Sequence, residues 1–158
     1  MKDYVLSVLV ENKSGVLARV AGLFSARGFN IRSLAVAETE SPSVSRMSLV
    51  VNADERTFEQ VKKQLNKLID VISIQDFTKK DFLDRELLLI KVVFNSQNRS
   101  AIIEIVEVLQ GKVLHVGSKS ICIEIVGDKE KVATALRLLK PYNLTEVMRT
   151  GVVAIGKD

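Results

Sequence analysis

Residues 5–34, VLSVLVENKSGVLARVAGLFSARGFNIRSL, decide the fold of this chain. The stretch begins with apolar residues typical of a buried strand, passes through a polar turn at Ser14-Gly15, and continues as an amphipathic helix predicted over residues 15–27. Gly28 is a typical helix stop, and a second strand is predicted from residue 31. The stretch therefore predicts a strand–helix–strand unit whose helix packs on a sheet.

The residues that follow complete a β-α-β-β-α-β order. Strands are predicted at 31–38, 45–51 and 71–77, and Asp54 is predicted to cap a second helix. The apolar stripe of that helix is predicted to consist of Phe58, Val61, Leu65, Leu68 and Ile69. This order predicts a four-stranded antiparallel sheet with two helices on one face, which is the ferredoxin-like α+β fold.

A charged segment then separates two units of this kind. We predict a first domain over residues 1–78, a linker over 79–84, and a second ferredoxin-like βαββαβ domain over 85–158. In the second domain Asp128 is predicted to cap the last helix. The two halves share the order of elements but little residue identity, so we predict two α+β domains and no repeat array.

Composition excludes several classes of protein. The longest apolar runs are too short to span a membrane, so no membrane partner is expected. A net charge of +4 without a long basic run, and the absence of Trp, argue against a nucleic-acid partner. A single cysteine excludes an internal disulfide and is consistent with a reducing, cytoplasmic setting.

The sequence also offers no recognisable catalytic machinery. The one histidine, His115, is predicted to be a structural imidazole in a strand, and the one cysteine, Cys122, a small buried strand residue. These two residues cannot form a Cys/His zinc site of the usual composition, so no metal site is expected. No glycine-rich phosphate motif is present, and Glu11, Glu38 and Glu40 are interpreted as exposed charges. The sequence therefore favours a binding or regulatory role.

We place the function at the turn before the first helix. A helix that begins at Gly15 leaves its first backbone N–H groups unpaired, and these groups and the helix dipole favour an anion. Asn12 precedes the helix and Asn30 follows it, and each has an amide that both donates and accepts. Such groups suit the carboxylate and ammonium of a free amino acid. The alternative is structural, with Asn12 and Ser14 as turn and capping residues and Gly15 easing the bend.

A resemblance to a known family covers nearly the whole chain. It is carried in order by residues 9–36 together with Pro42 and Ser45-Arg46-Met47, and by KQLNKLIDV at 63–71, RELLLIKV at 85–92 and RTGVVAIG at 149–156. This series closely resembles the regulatory (small) subunits of acetohydroxyacid synthase, also called acetolactate synthase. Those subunits begin with an ACT domain, a fold that commonly senses amino acids.

The resemblance implies a non-catalytic regulatory subunit in branched-chain amino acid biosynthesis. Such a subunit activates a catalytic subunit that joins two 2-oxoacids, and it confers feedback inhibition by branched-chain amino acids, valine foremost. Thiamine diphosphate, Mg and FAD would be cofactors of the catalytic partner and not of this chain. Carried over residue by residue, the effector site consists of Asn12, Gly15, Val16 and Leu17 of one chain and Asn30 and Ile31 of its dimer mate.

A homodimer is also expected on physical grounds, because a unit of about 75 residues has a limited core and free sheet edges. Three alternatives remain open from the sequence. The first is a stand-alone ACT-type sensor for a different enzyme, the second is a small enzyme on a ferredoxin-like scaffold, and the third is a nucleic-acid regulator.

Overall fold

The computed structural model describes residues 1–157 and confirms the predicted α+β class. The elements of the first half are β1 (Lys2–Glu11), α1 (Val16–Ala26), β2 (Ile31–Glu38), β3 (Val44–Ala53), α2 (Glu55–Leu65) and β4 (Val71–Asp76). They form a four-stranded sheet in the order β2-β3-β1-β4, and every neighbouring pair is antiparallel. Both helices contribute to one core with this sheet.

The core of this half follows from two periodicities. Every second residue of β1 points to the helices, which buries Tyr4, Leu6, Val8 and Val10. In α1 the buried residues recur at the helical spacing, and they are Val16, Val20, Leu23 and Phe24. The same apolar pattern that predicted these elements therefore also determines which face of each is buried.

The second half repeats the order with one strand added. Its elements are β5 (Phe82–Val93), α3 (Arg99–Val108), β6 (Lys112–Val116), β7 (Ser120–Gly127), α4 (Lys129–Leu139), β8 (Leu144–Arg149) and β9 (Val153–Gly156). Strands β6-β7-β5-β8 form the same antiparallel order as in the first half, and β9 pairs with β5. The helices of the structure have at most 11 residues, so none within residues 1–157 is suited to crossing a membrane.

Packing divides the chain between Leu83 and Asp84, close to the predicted linker. Two features differ from the prediction. Residues 82–84, predicted as linker, already belong to β5. The last residues, predicted within the second domain, pack with the first unit, where Val152 N–H donates to Ser33 Oγ at 2.9 Å and Lys157 N–H donates to Asp81 O at 3.1 Å.

Both predicted helix caps are confirmed. Asp54 Oδ1 accepts the N–H of Thr57 at 2.8 Å, and Asp128 Oδ1 accepts the N–H of Lys131 at 2.8 Å. An aspartate at this position satisfies a backbone donor that the helix itself leaves unpaired. The hydrogen bonds from Thr57 also hold the pKa of Asp54 below its ordinary value.

One prediction of burial is wrong, and another is confirmed only in part. Ile69 was assigned to the apolar stripe of α2, but the helix ends at Leu65 and Ile69 is 94% exposed. His115 lies in strand β6, as predicted, and every residue of β6 is exposed at the edge of its sheet. Cys122, predicted to be buried, is only partly so. Edge position depends on strand order, which a local pattern does not encode.

Candidate functional site

The turn between β1 and α1 is built around Gly15. Helix α1 begins at Val16, one residue later than predicted, and Gly15 is its N-cap residue with φ +85°. This left-handed conformation suits glycine, because a side chain would be strained there. The turn closes with a hydrogen bond of 3.3 Å from Val16 N–H to Lys13 O and one of 3.0 Å from Arg19 N–H to Gly15 O.

The first turn of α1 keeps two backbone donors free. Within residues 1–157, neither Leu17 N–H nor Ala18 N–H has an acceptor at hydrogen-bond distance, and no side chain caps the helix. Ser14 therefore does not play the capping role that the structural alternative gave it. Free N–H groups at a helix N-terminus carry partial positive charge and favour an anion.

Asn12, in contrast, does serve the turn. Its Nδ2 donates to Glu38 Oε1 at 3.0 Å and to Pro42 O at 2.8 Å, and its backbone N–H donates to Ser43 O at 2.7 Å. Both hydrogens of the amide are used in these bonds, so only the Oδ1 atom is left to contact a ligand, as an acceptor. Asn12 was predicted both to donate to a ligand and to accept from it. With both amide hydrogens used within the chain, it keeps only the role of acceptor.

A cavity of about 280 Å³ opens beside this turn. Its polar lining consists of Glu11, Asn12, Lys13, Glu38 and Ser45, and its larger apolar residues are Val10, Val16, Leu17, Val36 and Met47. The combination of a few polar groups with apolar walls is typical of small-molecule sites. The volume is at the small end of such sites, which suits a ligand the size of a free amino acid.

Four of the six predicted site residues lie together in one chain. Asn12, Val16 and Leu17 line the cavity, and Gly15 immediately precedes the helix. Asn30 and Ile31 lie beyond the other end of α1 and do not line the cavity. An eleven-residue helix is about 16 Å long. One chain therefore does not bring all six residues together.

An ion pair holds the turn from the side of β4. Arg19 Nε donates to Asp70 Oδ2 at 2.7 Å, and the backbone oxygen of Asp70 accepts the N–H of Glu11 at 2.9 Å. The hydrogen bond from Arg19 lowers the pKa of the Asp70 carboxyl below its ordinary value. A Cβ added to Gly15 would lie 3.1 Å from Arg19 Nη1, so the guanidinium stands directly over the N-cap.

Sequence reasoning did not anticipate these partners. Arg19 lies outside the apolar stripe of α1, and Asp70 is 51 residues further along the chain, so no local pattern connects them. Glu38 was interpreted as an exposed charge, which it is, but it also lines the cavity and holds Asn12. The register explains this position, since Ser45 of β3 pairs with Glu38 on one side and with Val10 on the other. Among residues 1–157, no group of three or more acidic, His or Cys side chains is arranged to hold a metal.

Comparisons with known proteins point to one family along nearly the whole chain. A family model described as the AHAS small subunit-like ACT domain matches residues 6–73, and one described as the small subunit of acetolactate synthase matches residues 85–158. The chain is 48% identical over 154 residues to the acetolactate synthase small subunit of Mycolicibacterium smegmatis, covering 98% of this chain and 91% of the relative. It is 47% identical over 157 residues to that of Mycobacterium leprae, covering 99% and 93%.

A solved structure gives the same result. The crystal structure of the acetolactate synthase small subunit from Thermotoga maritima superimposes with a TM-score of 0.92 at 38% sequence identity. The match covers 100% of this chain and 99% of the Thermotoga maritima chain. The fold is thus shared along the whole chain.

Proposed function

The chain belongs to the family of acetolactate synthase small subunits, and from this premise we propose that it activates a catalytic acetolactate synthase subunit and makes it sensitive to branched-chain amino acids, valine foremost. On this proposal the chain has no catalytic activity of its own and works in the cytoplasm. Thiamine diphosphate, Mg and FAD belong to the catalytic subunit.

One observation carries the proposal, namely that the cavity lies next to an uncapped helix start. The free N–H groups of Leu17 and Ala18 suit the carboxylate of an amino acid. Acceptors on the cavity wall suit its ammonium group, and the apolar walls suit a branched side chain. Each of the three parts of a branched-chain amino acid therefore has a matching group in the cavity lining or in the helix turn beside it.

The proposed site is completed by a second copy of the chain. Asn30 and Ile31 are separated from the cavity by the length of α1, so they reach a ligand only from the dimer mate. Ile31 would add to the apolar wall, and the Asn30 amide would add a donor and an acceptor. A ligand held between two chains also favours one arrangement of the dimer over others.

Such a site regulates only if its ligand distinguishes two states of the assembly. An effector inhibits by binding the less active state more tightly than the active one. Coupling of this kind is typically about 1–3 kcal/mol, which corresponds to about 5–150-fold in affinity. A ligand that bridges two chains can supply it, because any change in how the chains meet changes its contacts.

Reconstitution tests the proposal. The catalytic subunit from the same organism is assayed for acetolactate formation alone, with this chain, and with this chain plus L-valine. We expect the chain to raise the rate and valine to lower it saturably, with no valine effect when the chain is omitted. If the chain neither raises the rate nor confers inhibition, the proposal fails, and affinity capture that recovers a different enzyme would favour the stand-alone sensor.

A further inference from the structure

Glu38 is the last residue of β2 and lies on the wall of the cavity that precedes α1. Its Oε1 atom accepts the hydrogen bond of 3.0 Å from Asn12 Nδ2. The Asn12 amide is itself fixed, because the same nitrogen also donates to Pro42 O at 2.8 Å. An amide that is fixed in this way orients the carboxylate that accepts from it. The carboxylate is thus held in place on a rim of the cavity by a neutral group.

The charges around the cavity leave Glu38 uncompensated. The other two charged residues of the lining, Glu11 and Lys13, form an ion pair with each other at 2.6 Å. Within the described chain, no Lys, Arg or His nitrogen lies within 4.0 Å of the Glu38 carboxylate. The cavity therefore carries one net negative charge, located at Glu38, and it favours a cationic group on whatever binds there.

We propose that Glu38 binds the α-ammonium group of the effector and makes the site specific for amino acids over 2-oxoacids. The inference rests on the proposed function and adds a residue to the predicted site. Asn12 assists, because its remaining Oδ1 atom is an acceptor and suits a second N–H of the same ammonium group.

The two classes of ligand differ at only one place that the site can distinguish. The 2-oxoacid that corresponds to valine has the same carboxylate and the same branched side chain, so neither the helix start nor the apolar wall distinguishes the two. They differ at one carbon, which carries a charged donor in valine and a neutral acceptor in the 2-oxoacid. A carboxylate at that place attracts the ammonium group of valine. It repels the keto oxygen of the 2-oxoacid, because two acceptors then face each other without a proton between them.

The test compares two ligands on matched variants of the full chain. Glu38→Gln keeps the size of the side chain and an oxygen for the Asn12 bond, but it removes the charge. Glu40→Gln is the control, because Glu40 is an exposed carboxylate two residues away and is not part of the cavity lining. Calorimetry measures the affinities for L-valine and for 3-methyl-2-oxobutanoate, and thermal unfolding verifies that each variant is folded.

We expect Glu38→Gln to lower the affinity for valine about 10-fold or more, the usual effect of losing a hydrogen bond to a charged group. The affinity for the 2-oxoacid is expected to stay the same or to rise, so the ratio between the two ligands falls. Glu40→Gln is expected to keep the wild-type ratio.

Two results would overturn the assignment. An unchanged ratio in Glu38→Gln would mean that Glu38 does not contact the ammonium group. An equal loss for both ligands would mean that Glu38 only holds Asn12 in place. In either case the wild-type chain still binds valine, so the proposed function stands. If the wild-type chain binds no valine at all, the proposed function fails together with this inference.

Discussion

A chain carrying Gly15→Asp is expected to remain folded and to lose affinity for L-valine by about 100-fold or more, the effect of losing two charge-assisted hydrogen bonds. Three effects of the substitution lower the affinity for L-valine. The position has φ +85°, where a side chain is strained. The new Cβ would lie 3.1 Å from Arg19 Nη1, so the carboxylate is drawn to the guanidinium above the helix start. A negative charge there repels the carboxylate of the ligand.

Calorimetric titration with L-valine measures this loss, and circular dichroism reports whether the variant is folded. Gly22→Ala is the matched control, because Gly22 lies in the interior of α1 and an added Cβ meets no atom within 4 Å. It is expected to bind valine normally and to unfold with a free energy raised by about 1 kcal/mol, the difference in helix propensity. Wild-type affinity in Gly15→Asp would remove the helix start from the site.

A mixed dimer pairs one Gly15→Asp chain with one Asn30→Ala chain. Such dimers are expected to recover half of the valine sites that dimers of either variant alone lose. In a homodimer of Gly15→Asp or of Asn30→Ala, both sites carry the substitution. If Gly15 of one chain and Asn30 of the other form one site, a dimer of the two variants has one doubly altered site and one unaltered site. The physical reason is the length of α1, which separates the two positions by about 16 Å in a single chain.

The experiment uses two differently tagged variants that are unfolded together, refolded and purified through both tags. Titration is expected to give wild-type affinity at one valine per two chains. Refolding each variant with its own tagged copy is the control, and it is expected to give no tight site. If the mixed dimers also lack a tight site, the ligand does not bridge the two chains at these positions.

The sequence predicted most of the fold because its signals are local. The alternation of β1 and the helical spacing of Val16, Val20, Leu23 and Phe24 identify an element and its buried face at once. Asp54 and Asp128 mark helix starts because an aspartate satisfies donors that a helix leaves free. The order β-α-β-β-α-β then allows few sheet topologies.

The features that the sequence did not reveal depend on contacts between distant residues. The strand β9 follows Gly151, whose φ of +80° turns the chain, and nothing in the pattern of VAIG specifies the unit with which it packs. The contact of Asn12 with Glu38 spans 26 residues. Family resemblance identified residues near the helix start, but it gave no information about the place of Glu38 in the cavity lining.

The most direct test of the account is a crystal structure of this chain grown with L-valine. We expect one valine beside each start of α1, with its carboxylate at hydrogen-bond distance from the N–H groups of Leu17 and Ala18. Its ammonium group should contact Glu38, and Asn30 of the dimer mate should complete the site. An empty cavity, or valine bound only elsewhere on the chain, would contradict the account.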